Sequence, residues 1–447
     1  MKILKLLFAF AFVATLSLST TSCGGDDDSP KKEQGGGDNN GGGDNNGGGS
    51  QGGDDNNGGG TGNMSESEKK NYVDATAREL VDYIKADDFK AITDLGQYVS
   101  ENLTRSTNRS SKTDVIEDFF EAAVKLSKLE ETNTYIKRLF LLSNFSAEFS
   151  YESGVWTKAR TTPENTLRFN FYDKNGQACV AEVVGSGKKV EVHASVFDEK
   201  HKYYDYSSYP YYTTYRTEEN RFEVPEKVNV RLTQGNKSLI DIEVKISIAG
   251  GEFQYNSSAV NTTMNANIVG YKIELEKAYY NGGKDAGVSV KVSKNSTMLV
   301  SATASANVSF GSDGEFQSAD KGNVKVDLLG KVQVKGTLDD FNKMRELDKR
   351  ISSESTEAEV KDVANQMNKQ FNIGVYFNNG STRQAYLQAY PFLEKKSYYE
   401  RWKIEPVIYF DDGTSYSTFK ALGDDSRFNE LVKKVKNLVT DFENLVK

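Results

Sequence analysis

Only two cysteines, two histidines, two tryptophans and six prolines occur in 447 residues. So few thiols cannot form a disulfide framework. Two histidines without clustered cysteines do not make a zinc-ligand set. A serine triad would need one of them beside an orienting carboxylate, and no nucleophile-elbow sequence is present. Scarce proline leaves long stretches in which strands can run unbroken. No dense Lys/Arg run occurs and the formal net charge is −8. Both argue against a nucleic-acid partner, whose affinity rests on neutralising phosphates. No apolar run reaches the about 20 residues that a membrane-spanning helix needs.

What the chain does have begins at its start. Lys2 and Lys5 precede an apolar run from Leu6 to Val13, then small residues ending Ser19-Thr20-Thr21-Ser22. Cys23 follows, then Gly24-Gly25-Asp26-Asp27-Asp28. The apolar run has the length of a signal-peptide core. The segment resembles a bacterial lipoprotein signal, with Cys23 at the position of the lipidated cysteine. Thr20 stands where that family usually has leucine. The aspartate run is similar to the export tag of Bacteroidota surface lipoproteins. The resemblance covers about the first 30 residues. It implies a signal peptide over 1–22, acyl chains on Cys23 as the membrane anchor, and an outer-membrane location, facing the cell surface.

Residues 23–63 carry Gly-Gly-Gly-Asp-Asn-Asn from Gly35 and again from Gly41, with no aliphatic or aromatic side chain between Gly24 and Asn63. Such a tract has nothing to bury against its chain entropy and reads as a flexible tether. About 40 residues span roughly 35 Å on average.

The remaining about 380 residues suffice for one large domain or two ordinary ones. A helical segment is expected over 64–143. Val73, Ala77, Leu80, Val81 and Ile84 form one stripe from Ser65 to about Leu103. Ser111-x-x-Asp114 can cap a second helix carrying Ile116, Phe119, Phe120, Ala123 and Val124. From Asn144 the period changes to two. Ile240, Ile242, Val244, Ile246 and Ile248 alternate with polar residues, as do Val288, Val290 and Val292. Val324, Val326, Leu328, Gly330, Val332 and Val334 share one face. One buried and one wet face means an antiparallel sheet, and strands this long should coil into a curved one.

Turn residues recur at 173–176, 234–236, 294–296, 378–380 and 411–413. They separate paired strands in a loose repeat of hairpins, which implies a meander. Helical signal returns at 339–370, with a Thr356-x-x-Glu359 capping box, and at 425–447, where Leu431, Val435, Leu438 and Phe442 line one side. The expected fold is α+β: a long-stranded, curved antiparallel β-meander over 144–447, packed by N-terminal, middle and C-terminal helices.

One motif points to binding. Tyr203, Tyr204, Tyr206, Tyr209, Tyr211, Tyr212 and Tyr215 crowd a short stretch between strand signals. Tyrosine offers a rigid flat face and a hydroxyl, suited to stacking on sugar rings or to a protein interface. A second concentration, Tyr390-Pro391-Phe392 with Tyr398-Tyr399-Glu400-Arg401-Trp402, could meet the first in space. Ala302, Ala304 and Ala306 leave room on one strand face, either for a helix or for an acyl chain sheltered by the curved sheet. His193 falls on the polar side of a strand, and His201 adjoins the tyrosines. Cys179 reads as a small apolar packing residue. The expected function is non-catalytic binding of a glycan or protein through the tyrosine-rich loop. A carrier or sensor of a hydrophobic ligand and a structural or adhesive envelope protein are the alternatives. No metal or cofactor is expected. A carboxylate-based hydrolase is the one enzymatic exception, because its two carboxylates can be distant in sequence.

Overall fold

The structure, a computed structural model, describes residues 64–103, 142–193, 199–205, 212–218, 221–249, 258–310, 316–396, 399–413, 415–417 and 429–445. It is mostly β. The strands are β1 (Ala147–Glu152), β2 (Val155–Lys158), β3 (Thr166–Tyr172), β4 (Ala178–His193), β5 (Glu199–Asp205), β6 (Tyr212–Glu218), β7 (Arg221–Gln234), β8 (Lys237–Ile248) and β9 (Ala259–Ile268). They continue with β10 (Tyr271–Asn281), β11 (Ala286–Lys294), β12 (Thr297–Phe310), β13 (Phe316–Leu328), β14 (Val332–Leu338), β15 (Phe371–Phe377), β16 (Arg383–Lys396), β17 (Tyr399–Tyr409) and β18 (Ser415–Ser417). The helices are α1 (Glu66–Tyr83), α2 (Lys90–Tyr98), α3 (Phe341–Asp348), α4 (Glu357–Asn368) and α5 (Asn429–Leu445).

Sixteen strands form one open sheet in the order β18-β17-β16-β15-β14-β13-β12-β11-β10-β9-β8-β7-β4-β3-β1-β2. From β7 to β18 it is a meander in which every neighbouring pair is antiparallel. The purely antiparallel expectation fails at one place. β1 and β3 run parallel, with β2 folded back on the outer edge of β1. Ser153 and Gly154, both at positive φ, turn the chain outward into β2. Residues 159–165 then carry it back across to the other side of β1.

The five expected turns are all present between the strands they were read to join. Asn295 and Ser296 both have positive φ, as a two-residue hairpin loop requires. Two further turns lie at Val269-Gly270 and Leu329-Gly330, and the second splits a run that reads as continuous. The face shared by Val324 through Val334 is therefore two paired strands, Leu328 opposite Val332. A side chain restores what the local residues do not favour: Asn267 Oδ1 accepts from Gly270 N–H at 3.2 Å, and Asp327 Oδ1 accepts from Gly330 N–H at 2.7 Å. The turns interlock at a spacing of thirty residues. Val269 N–H donates to Leu239 C=O and Leu329 N–H to Leu299 C=O, each at 3.0 Å. Leu239 and Leu299 are each fully buried.

The N-terminal helices lie across this row of turns and meet them in reverse chain order. Lys70 pairs with Asp412, Tyr72 donates to Asn378 and Glu79 pairs with Lys331. Asp88 then pairs with Lys294, and Asp94 reaches Lys174. The expected helix from Ser65 to Leu103 is thus interrupted. It starts with a Ser65/Glu68 capping box, stops at the extended Ile84 and continues through a 3₁₀ turn (Ala86–Phe89) into α2. The break turns Asp88 toward the sheet. The Tyr271 hydroxyl donates to Asp88 Oδ2 at 2.6 Å and accepts from Lys294 Nζ at 3.0 Å and Lys85 N–H at 3.2 Å. Lys294 also donates to Tyr83 C=O at 2.9 Å. The second expected helix, from Ser111, lies outside the described residues.

Helices cover one face of the sheet. Val73, Ala77, Leu80, Val81 and Ile84 share a buried cluster with Val292, Val300, Ala302, Val326, Val334, Val375 and Leu387. Leu431 and Leu438 of α5 join it, and Lys434 pairs with Asp82 at 2.6 Å. Leu95, Val99 and Leu103 pack on Phe149, Phe169, Val183 and Val230. At the opposite strand ends, Phe341 of α3 packs on Ala306, Val308 and Ala319. Val363, Ala364 and Met367 of α4 pack near Ala389. Asn368 exchanges two hydrogen bonds with the Ala389 backbone, at 2.7 and 3.0 Å. β16 has no neighbouring strand there on its β15 side, so Asn368 satisfies that stretch of edge.

Burial works against the Asp88 carboxylate, but hydrogen bonds from Lys294 and Tyr271 hold it below its usual range. A carboxylate lowered by folding contributes stability above its unfolded pKa, about 3.9, and loses it as pH falls through the folded value. Asp88→Asn should therefore cost about 2–3 kcal/mol in urea unfolding at pH 7. The gap to the parent should narrow as both are titrated toward pH 3; a gap that stays constant with pH would refute the role given to this carboxylate.

Candidate functional site

The tyrosine motif does not form a strand of the main sheet. β4 and β7 pair as far as His193 opposite Arg221, and β5 and β6 then pair with each other from Glu199 opposite Glu218 to Asp205 opposite Tyr212. Tyr203 and Tyr204 lie on β5, and Tyr212 and Tyr215 on β6. Tyr206, Tyr209 and Tyr211 lie outside the described residues, as does Cys23. His201 sits on β5 opposite Arg216. The segment, read as a loop or an edge, carries two strands that pair as a hairpin between β4 and β7. The second aromatic concentration falls on β16 and β17, except Tyr398, which lies outside the described residues. Those strands and the hairpin's supports are not neighbours in the sheet: β16 is nine positions from β7, a path of about 43 Å along it.

The three alanines are met by helices. Ala302 lies in the cluster that α1 completes, and Ala306 packs with Phe341. Ala304 is buried between them. Opposite Ala306, the position of a side chain on Gly322 is already filled by the Phe341 ring, 2.5 Å from where a Cβ would sit.

The sheet face turned away from the helices carries a site that sequence reasoning missed. Register places Lys277, Ser289, Thr303, Lys325, Lys335, Gly374, Tyr386 and Tyr409 in one cross-strand row from β10 to β17. The next row, toward the ends where α3 packs, is Tyr279, Gly287, Ser305, Asn323, Thr337 and Asn372. On the turn side of the first row stand Glu274, Lys291, Ser301, Asp327, Gln333, Tyr376 and Arg383. Two glycines make this ledge. The Tyr279 ring lies over Gly287, 2.6 Å from where a Cβ would sit, and the Arg383 stem lies as close over Gly374. Both side chains therefore lie along the sheet surface.

Cations and rings are interleaved here. Lys277 sits 3.9 Å from the Tyr279 ring, Lys335 4.3 Å from Tyr376 and Arg383 3.9 Å from Tyr386. Arg383 Nη2 also donates to the Tyr386 hydroxyl at 3.0 Å. At the β10 end a groove of about 590 Å³ is lined by Tyr279, Lys284, Asp285, Ser305, Asn307, Asp320, Lys321 and Asn323. Burial, then Asp285 beside it, pushes the Tyr279 hydroxyl above its usual pKa. The sequence signal for this face was the polar half of each alternating strand, which reads only as wet.

Among the described residues, no group of His, Cys, Asp and Glu could hold a metal ion, and no helix is long and apolar enough to cross a membrane. Compared with family models, curated proteins and solved structures, the chain matches none.

Cys179 is buried on β4 among Phe171, Ala181 and Leu239. Burial, then the nearby Asp173 carboxylate, pushes its thiol up to about 11. A thiol kept protonated and out of solvent is a poor nucleophile. A maleimide reagent at pH 7.5 should leave Cys179 unmodified in the folded protein and label it fully in urea. Rapid labelling without denaturant would contradict this.

Proposed function

We propose that this is a lipid-anchored cell-envelope protein, held at the outer-membrane surface through Cys23, that binds a glycan or protein without catalysis through the hairpin β5–β6. The observation that carries the reading is the pairing of the tyrosine motif. Its strands hydrogen-bond to each other instead of joining the sixteen-stranded sheet, so they are not part of the body's main ladder. The domain is taken as α+β, its long strands coiling over the helices that cover one face. The tether lets that body stand roughly 35 Å from the membrane. A hydrophobic carrier has weaker support, since α1 and Phe341 pack on the alanine-lined strand face where an acyl chain would have to lie. A structural or adhesive role would use the same hairpin against a protein.

Two measurements test this. Cys23→Ala should move the protein from the membrane fraction to the soluble fraction of its native host; continued membrane retention would remove the anchor from the account. In the full-length chain, Tyr204→Ala, Tyr212→Ala and Tyr215→Ala together should weaken glycan or partner retention at least tenfold, on the order of 0.5–1.5 kcal/mol per ring contact. The thermal melt should stay within a few degrees. Unchanged retention would remove the hairpin from the site.

A further inference from the structure

We infer that the open face of β10–β17 is a second binding surface, for an anionic polysaccharide of the polyuronate kind. The inference rests on the glycan-binding reading above but places the contact on different residues. Three features of the ledge define the ligand. First, its central row carries cations and no carboxylate, in a chain whose net charge is −8. Lys277, Lys325 and Lys335 share that row and Arg383 stands on the next, while the flanking carboxylates Glu276 and Asp327 are engaged by Lys291 and Gln333. Lys325 and Arg383 are exposed, and no carboxylate faces Lys325 from its cross-strand partners Thr303 and Lys335. Clustered cations of this kind favour a ligand with regularly placed negative charge.

Second, the rows between the aromatic ends carry small polar side chains, Ser289, Thr303, Ser305, Asn323 and Thr337. A broad chain can lie flat on such a surface. From β10 to β15 the ledge is about 24 Å wide, the length of several sugar rings. Tyr279 at one end and Tyr376 and Tyr386 at the other offer ring faces already braced by cations. Third, the groove at the β10 end mixes Asp285 and Asp320 with Asn307, Asn323, Lys284 and Lys321. Carboxylates beside amides accept hydrogen bonds from hydroxyl groups and repel phosphates. A nucleic acid, with a phosphate every 3.4 Å of each strand, would bring charge onto Asp285 and Asp320. A polyuronate can set hydroxyls there and its carboxylates on Lys325, Lys335 and Arg383.

The test uses the full-length protein in detergent, with gel electrophoresis through matrices containing alginate, a neutral glucan or neither. Alginate should retard the protein, and the retardation should fall steeply with salt. Lys325→Gln, Lys335→Gln and Arg383→Gln together should lower it at least tenfold. Thr303→Glu, an exposed single change that adds an opposing charge to the row, should do so on its own if the triple variant melts early. Short alginate fragments should release the bound protein, and single-stranded DNA of equal charge should not. Equal retardation of parent and both variants, or release by DNA as readily as by alginate, would overturn the ledge. If a neutral glucan retains the protein, and only the tyrosine-hairpin changes release it, the ledge fails while the glycan-binding reading stands. Retention by no glycan would end both.

Discussion

The structure depends on one helical strap laid across the hairpin turns of a very long sheet. A sheet of sixteen strands has only nearest-neighbour ladders to hold it. The strap links turns that are far from it in sequence and more than a hundred residues from each other, Asp412 through Lys70 and Lys294 through Asp88. Its apolar side buries Leu80, Val81 and Ile84 against strands from β10 to β17, each worth roughly 1.5–3 kcal/mol of apolar burial. Two of its polar contacts, at Lys70 and Lys294, are made by largely buried ammonium groups, while the Glu79–Lys331 pair stays exposed. Lys294 illustrates this: burial opposes its charge, yet Asp88 and Tyr271 hold the ammonium above its usual pKa. Lys294 and Tyr271 come from neighbouring hairpins, so the strap also sets how those hairpins lie against each other.

Because the strap and the other described helices lie on one side, the two faces of the same strands have different tasks. On the helix side the small residues Ala302, Ala306 and Gly322 admit α1 and Phe341. On the far side Gly287 and Gly374 let a tyrosine and an arginine lie flat. The absence of a side chain does similar physical work in both cases, giving room for a neighbouring strand's or helix's bulk. The consequences differ. One makes a dry core and the other a ledge of rings and cations open to solvent.

Turns with Asn-Gly, Asp-Gly or Asn-Ser character could be read directly, since those residues favour the positive φ that the turns use. Val269 and Leu329 could not. Both take positive φ, which bulky side chains disfavour, because the Asn267 and Asp327 side chains and the interlocked backbone of the next hairpin hold them there. The parallel pairing of β1 with β3 was equally hidden. It depends on the return path of residues 159–165, not on either strand's own pattern. The capping box at Thr356 and the stripe of Val73, Ala77 and Leu80 were legible because helix caps and helix faces are local. The interruption near Ile84 was not, since it answers to Lys294 and Tyr271, about 200 residues away.

By itself the sequence determined the local facts: period-two strands, most of the turns, the helix starts and the clustering of tyrosines between Tyr203 and Tyr215. These follow from interactions within a few residues, which any chain with this order of side chains would feel. Tertiary structure alone decided that the tyrosine strands pair as their own hairpin. It decided also which wet face stays open, and that Lys325, Lys335, Arg383 and Tyr386 meet on it. That meeting is a matter of register. Each ladder must match its apolar rows to bury them, and aligning those rows aligns the polar rows on the other side as well, a result of summed pairings that no single segment contains.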